Sequence, residues 1–258
     1  KAICMEKLEA LQMLSEESGE FYKMKTWLET LLKVPFNKYI NLPISINDTT
    51  VQINEYLYNV NEKLNDSIFG QESAKCQILQ YLSQCITNPV SAGNVIGLCG
   101  PPGCGKTTLI KEGVSKAIEK PFSFITLGGS GGGNLLEGHS YTYEGAVWGN
   151  VVNLLINSKS MNPIIYFDEL DKISRTKEGN EITGILTHLT DPSQNKEFHD
   201  RYFANIDFDL SKALIIFSYN DESKINPILK DRLKVIYTKG YSTKEKIKIA
   251  SEYMLPKI

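Results

Sequence analysis

The sequence predicts an α/β fold: a parallel sheet with helices packed on both faces, a three-layer αβα arrangement. Three observations carry this. From about Asn94 onward, short apolar runs (95–99, 122–127, 164–167, 214–217 and 235–237) alternate with segments of helical periodicity. The runs are continuously apolar rather than alternating with polar residues, as expected of strands covered on both sides. A glycine-rich loop follows the first run and leads directly into a helical segment.

Helices precede the sheet. Residues 1 to about 33 read as helix, because Leu8, Leu11, Leu14, Trp27, Leu28, Leu31 and Leu32 recur at helical spacing among Glu and Lys. The stretch 15–19 interrupts that helix and Pro35 ends it. A polar connection with Pro43 follows, then helical periodicity over 51–64 and 72–86, with Gly70 between. A last helix is expected over 243–254, stopping at Pro256.

The 258 residues suffice for one large α/β domain and a smaller attached piece. A formal net charge of −2 gives no reason to expect nucleic acid or an anionic membrane as partner. Residues 1–65 hold seven Lys against nine Asp or Glu, so they form no basic arm. Only Arg175, Arg201 and Arg232 are arginine; the other 25 of 28 basic residues are lysine. Five cysteines without metal-ligand spacing suit reduced thiols in an intracellular compartment. No apolar run approaches the ~18 residues of a membrane span. The chain opens at Lys1 rather than Met, so a missing leader says nothing about targeting.

The loop reads Gly100, Pro101, Pro102, Gly103, Cys104, Gly105, Lys106, Thr107, Thr108 and fits G-x-x-x-x-G-K-[ST], the phosphate-binding pattern. Gly103 and Gly105 let backbone N–H groups turn inward where a β-carbon would obstruct. Lys106 supplies charge for the β and γ phosphates, and the Thr107 hydroxyl can ligate Mg²⁺. These residues predict binding of ATP with Mg²⁺. Cys104 stands at a variable position and reads as a space-filler. The run 164–167 ends in Asp168 and Glu169. Asp168 suits the metal and Glu169 the attacking water; without the loop upstream, both would read as solvated acids at a strand end. Asn220 ends another apolar run and can hold that water or sense the γ-phosphate, although Asn also ends strands because it favours turns. Arg232 follows a short helix, either as a helix-end surface residue or as an arginine finger reaching a neighbouring subunit.

With these pieces in order, the chain resembles an AAA+ ATPase, and within that superfamily the ATPase module of Lon proteases. The superfamily resemblance rests on Ile68, Phe69, Gly70 and Gln71, the phosphate loop, Asp168 with Glu169, Asn220 and Arg232. The Lon resemblance rests on Leu127-Gly-Gly129, Gly138-His139, Thr142-Tyr143, Phe167-Asp-Glu-Leu-Asp-Lys172, Asp191-Pro-Ser-Gln-Asn195, Phe208-Asp-Leu-Ser211 and Gly240-Tyr-Ser-Thr-Lys-Glu-Lys246. It implies an AAA+ P-loop domain over 61–240, a helical N-terminal segment over 1–60 and the start of a helical lid over 241–258. It also implies adenine contact by Ile68, Phe69 and Gly70, and a homo-hexameric ring that pulls unfolded polypeptide through its centre. Tyr143 and Glu144 become the pore-loop residues that grip the substrate. The Lon peptidase domain, with its serine and lysine, lies outside this sequence. Bacterial cytosol, mitochondrial matrix and infected-cell cytoplasm all fit.

The sequence departs from the Lon pattern at Glu144, where an aliphatic is usual, and at Ser140 and Tyr141, where basic residues are usual. Residues 130–133 are unusually glycine-rich, which predicts a flexible loop. Gly128-Gly-Ser130-Gly-Gly132 also satisfies G-x-S-x-G, but a run of glycines cannot hold the fixed turn a nucleophilic serine needs. Two other classes compete with the protein-unfolding motor. One is a nucleic-acid remodeller of the clamp-loader or initiator type, which would need a basic, aromatic-lined track. The other is a nucleotide switch that does not hydrolyse, which the presence of Lys106, Thr107, Glu169 and Arg232 together opposes.

Overall fold

The computed structural model describes residues 2–88, 95–129, 131–143 and 145–255. Two helices open the chain, α1 (Ala2–Met13) and α2 (Gly19–Lys33). The Ser18 hydroxyl caps α2 by accepting from Phe21 N at 3.2 Å. Helix α3 (Thr50–Ser67) begins with a reciprocal capping box between Thr49 and Gln52. The turn into α4 (Glu72–Thr87) uses left-handed backbone at Gly70 and Gln71.

Five strands form the main sheet: β1 (Val95–Cys99), β2 (Phe122–Thr126), β3 (Ile164–Asp168), β6 (Leu214–Tyr219) and β7 (Lys234–Tyr237). All pairs are parallel, in the order β2-β3-β6-β1-β7. The helix after β1, here α5, comprises Lys106–Thr108, Leu109–Val114 and Ser115–Ala117, the middle piece being π-helical. Helices α6 (Asn150–Ser158), α7 (Lys177–Thr190) and α8 (Thr243–Ile249) follow.

Strand alternation divides the core between the two faces of the sheet. Ile96, Leu98, Ile164, Tyr166 and Ile216 face Val60 and Leu64 of α3, Ile78 and Leu82 of α4, and Leu109 and Ile110 of α5. Ile165, Phe167, Ile215 and Phe217 face Trp27, Leu28 and Leu31 of α2, together with residues of α6 and α7. Phe167 and Phe217 stack with ring centroids 5.1 Å apart. Burial on both faces explains why the inner strands β1, β3 and β6 read as apolar runs, whereas the edge strands β2 and β7 are only partly buried.

Several details differ from the sequence reading. The boundary expected at 60/61 falls inside α3, whose Val60 and Leu64 pack against the sheet, while α2 belongs to the other core cluster. A two-stranded antiparallel ribbon, β4 (Phe198–His199) with β5 (Asp207–Phe208), was not expected; two residues per strand are too few to show a period. The last helix changes hydrogen-bond pattern after Ile249 and continues as π-helical turns over Ala250–Met254. Among the described residues no helix is long and apolar enough to cross a membrane.

Candidate nucleotide site

The loop from Gly100 to Gly105 joins β1 to α5 at the carboxyl edge of the sheet, where ligands of open α/β folds bind. Gly103 and Gly105 adopt left-handed backbone, φ 71° and 83°. A β-carbon on Gly105 would also lie 2.5 Å from Ile68 Cδ1. Gly100 is pressed against Thr238, so that a β-carbon there would collide with its hydroxyl. Cys104 is buried with its sulfur 3.0 Å from Thr238 Oγ1, a packing position. Pro101 and Pro102 are exposed on the outer curve, as is Thr108 on the first turn of α5.

Lys106 Nζ donates to Gly100 O at 2.6 Å, Pro101 O at 3.1 Å and Asn220 Oδ1 at 2.8 Å. The ammonium thus lies at the mouth of the loop and ties it to the end of β6. Asn220 is held in turn: its N–H donates to Asp171 Oδ2 at 3.3 Å, and Asp221 N donates to the same oxygen at 3.2 Å. Asp171 Oδ1 is buried without a partner. The sequence reading quoted Asp171 only as part of a run, with no role.

Asp168 ends β3 on the face that α5 covers. Its Oδ1 accepts from the Ser218 hydroxyl and from Glu169 N, the latter at 3.0 Å. Thr107 Oγ1 lies 3.3 Å from the Tyr166 hydroxyl. Burial pushes the Tyr166 phenol up to about 12, so it stays protonated near neutral pH. Glu169 adopts left-handed backbone, φ 62°, turning its side chain out of the strand line. Its carboxylate pairs with Lys172 and presses on Gly128, where a β-carbon would strike it. That glycine contact joins the loop after β2 to the acidic pair. Among the described residues no cluster of three or more His, Cys, Asp or Glu could hold a metal alone. The oxygen donors Thr107 and Asp168 fit a hard cation that takes its remaining ligands from phosphate and water.

The segment Ile68, Phe69, Gly70 borders the loop. Gln71 Nε2 reaches Cys104 O at 3.5 Å and Lys239 O at 2.6 Å, while Lys239 N returns a bond to Gln71 Oε1 at 3.0 Å. The Tyr241 hydroxyl donates to Phe69 O at 2.7 Å, and Tyr253 packs edge-on to the Phe69 ring. Gln71, Tyr241 and Tyr253 thus gather around the segment; the first two lie in quoted runs, yet the contacts of Gln71 with Lys239 and of Tyr241 with Phe69 span about 170 residues and leave no local signal.

Arg232 follows the short helix Pro227–Lys230. Its guanidinium pairs with Asp191 Oδ2 at 3.0 Å and donates to Thr187 O at the end of α7, contacts within its own chain. Tyr143 sits 67% exposed at the tip of a loop whose base is closed by His139 N donating to Val147 O at 2.9 Å. Lys23 of α2 donates to Tyr143 O at 3.3 Å. Glu144 and Ser130 lie outside the described residues.

Comparison with known proteins agrees with this geometry. Residues 96–241 match the family described as ATPase family associated with various cellular activities (AAA). The chain is 42% identical over 243 residues to a Lon protease homolog of Acanthamoeba polyphaga mimivirus, covering 92% of this chain and 24% of that protein. It is 33% identical to the peroxisomal Lon protease homolog 2 of Caenorhabditis briggsae and 34% identical to the Lon protease of Campylobacter concisus, in both cases over 96% of this chain and 30% of the relative. The chain therefore spans less than a third of the length of these curated relatives. Membership of an ATPase family implies nucleotide binding with a divalent metal. The chain belongs to the AAA family of ATPases, as an AAA+ module of the Lon protease kind.

Proposed function

We propose that this module binds ATP with Mg²⁺ and hydrolyses it to unfold and translocate polypeptide, as the motor of a hexameric, Lon-like serine protease. The observation that carries the ATP reading is the position of Lys106 Nζ, between the carbonyls of the glycine-rich loop and Asn220 Oδ1. A triphosphate entering this loop meets inward-turned amides and exchanges the lysine's carbonyl contacts for phosphate oxygens. Asn220, held by Asp171, orients water or the γ-phosphate. Glu169 is the base that orients the attacking water, and its exchange of Lys172 for that water gates hydrolysis. Mg²⁺ bound by Thr107 and through Asp168 supplies neutralisation of the charge developing on the phosphates. Ile68, Phe69 and Gly70 take the adenine.

Arg232 serves a neighbouring copy as an arginine finger, with Asp191 and Thr187 setting the direction of its guanidinium. Tyr143, a large exposed ring at a loop tip, grips extended substrate without regard to its side chains. Similarity to proteins named Lon protease supports a protein substrate.

The test is a pair of variants. Glu169→Gln should bind ATP with parental affinity and lose at least ~100-fold in kcat, the usual scale for a lost general base. Lys106→Ala should lose nucleotide affinity itself. Normal turnover by Glu169→Gln would remove the role of Glu169. A parent without magnesium-dependent nucleotide affinity, matched by Lys106→Ala, would remove the whole reading.

A further inference from the structure

We infer that Gln71 is a positioning residue for nucleotide retention: its side-chain amide straps residues 239–241 to the phosphate loop and so slows the release of a bound nucleoside diphosphate. The inference rests on the proposed nucleotide site and concerns how long that site keeps its product.

Three segments far apart in sequence meet at this residue. Gln71 directly follows the segment 68–70 proposed for the adenine and stands at the start of α4. Its Nε2 donates to Lys239 O at 2.6 Å and to Cys104 O of the phosphate loop at 3.5 Å, and its Oε1 accepts from Lys239 N at 3.0 Å. The amide thus meets both backbone groups of Lys239, as a neighbouring strand would. Thr238, one residue earlier, is buried and donates its N–H to Cys99 O at 2.8 Å, whereas Lys239 and Gly240 are exposed. Beyond the end of the sheet, Gln71 takes over the backbone pairing that β1 provides up to Thr238.

The residues after Lys239 rest on the site itself. A β-carbon on Gly240 would lie 3.3 Å from Pro101 Cγ, so this glycine packs on the outer curve of the loop. The Tyr241 hydroxyl donates to Phe69 O at 2.7 Å and is 3.9 Å from where a β-carbon on Gly105 would lie. Helix α8 continues the contact, with Lys248 Nζ 5.1 Å from the centre of the Phe69 ring. Residues 239–241 therefore bridge the phosphate loop and the adenine segment. Fixing these two parts relative to one another keeps both ends of a nucleotide engaged at once, which is preorganisation.

The backbone of Gln71 is strained to make this possible. It adopts φ 60° and ψ 32°, a left-handed conformation that is costly for a residue with a β-carbon. Although it stands at the N-cap position, its side chain makes no cap bond to α4. Such conformations persist where the surroundings hold them, and they cluster at ligand clamps and switch regions. Here the strained turn delivers the amide to Lys239 instead of to the helix.

The strain also makes the role separable from stability. Gln71→Gly removes the amide but suits left-handed backbone, so relief of strain offsets the lost hydrogen bonds and the melting temperature should stay close to parental. The measurement loads the protein with fluorescent ADP and Mg²⁺, chases with excess unlabelled ADP and reads the dissociation rate by stopped flow. Gln71→Gly should release the nucleotide about tenfold faster, the scale of two ordinary hydrogen bonds, with the association rate unchanged. Gln71→Glu keeps the length but sets a carboxylate oxygen against Lys239 O and Cys104 O, and should release at least as fast. Parental release rates in both folded variants would overturn the strap while leaving the nucleotide site standing. A parent that binds no ADP would overturn the site and the strap with it. Should Gln71→Glu fail to fold, Gln71→Gly decides alone.

Discussion

Asp200 shows how a single buried charge fixes a loop. Its carboxylate accepts from Gly149 N at 2.7 Å, Tyr202 N at 2.9 Å and Phe203 N at 3.3 Å, pinning the chain just after the Tyr143 loop to the segment between β4 and β5. Those bonds favour the ionised form, yet burial outweighs them and raises the carboxyl from 3.8 to about 6. The native state therefore holds this proton more tightly than the unfolded chain. As pH rises from about 4 to about 6 the unfolded form ionises first, so the contribution of Asp200 to stability falls across that window. Asp200→Asn, which cannot ionise, should be most destabilised relative to the parent near pH 4. That deficit should shrink by on the order of 2 kcal/mol at pH 7.5, read as urea midpoints at the two pH values. A gap independent of pH would refute the assignment. At this scale the sequence was legible where spacing is local: Lys106 and Thr107 follow the glycine-rich loop, Asp168 ends β3 with Glu169 next, and the structure places these short runs at one edge of the sheet. Tyr166, Ser218 and Asp171 were not legible, because their partners are brought together by the sheet. A hydroxyl inside the apolar runs at Tyr166 and Ser218 was the one available signal.

Among the elements, the strands were legible nearly to the residue: β1, β3 and β6 are buried on both faces and leave a continuous apolar signature, while the edge strands β2 and β7 are partly exposed apolar runs. The π-helical middle of α5 left none. It is a matter of fit: Gly113 packs where a β-carbon would lie 2.7 Å from Ser67 Oγ and 3.0 Å from a Leu64 methyl, so α3 rests directly on α5. The same close approach governs the phosphate loop at the start of α5. Gly103 and Gly105 both need left-handed backbone, but open space surrounds Gly103, whereas Gly105 faces Ile68. Gly103→Ala should therefore cost only the backbone term, about 1–2 kcal/mol. Gly105→Ala adds displacement of Ile68, and with it the neighbouring Phe69 and Gly70, and should lower the melting temperature clearly further. Thermal unfolding of the two variants without nucleotide checks this, and equal losses would show that the contact with Ile68 yields freely.

For the whole molecule, the N-terminal helices are where sequence and structure diverge most. Helical periodicity located α1 and α2 but could not say what their apolar faces cover, and a separate segment was the natural expectation. Trp27 is instead 1% exposed, its indole N–H donates to Tyr202 O at 3.1 Å, and its ring meets Phe203. Lys7 of α1 and Lys23 of α2 both lie over the Tyr141 ring, at 4.9 and 4.6 Å. An aromatic ring thus stands where two lysines converge, and meets both by cation–π attraction. These contacts make α1, α2 and the Tyr143 loop one packed body with the sheet, and cooperative unfolding follows from that. Trp27→Ala should cost about 3–5 kcal/mol, which at about 2–4 °C per kcal/mol lowers the melting temperature by roughly 10 °C. The loss should appear equally in far-UV circular dichroism and in the temperature at which a fluorescent nucleotide is released. If the helices formed an independent unit, the variant would melt in two steps and nucleotide release would stay at the parental temperature, a result incompatible with a shared core.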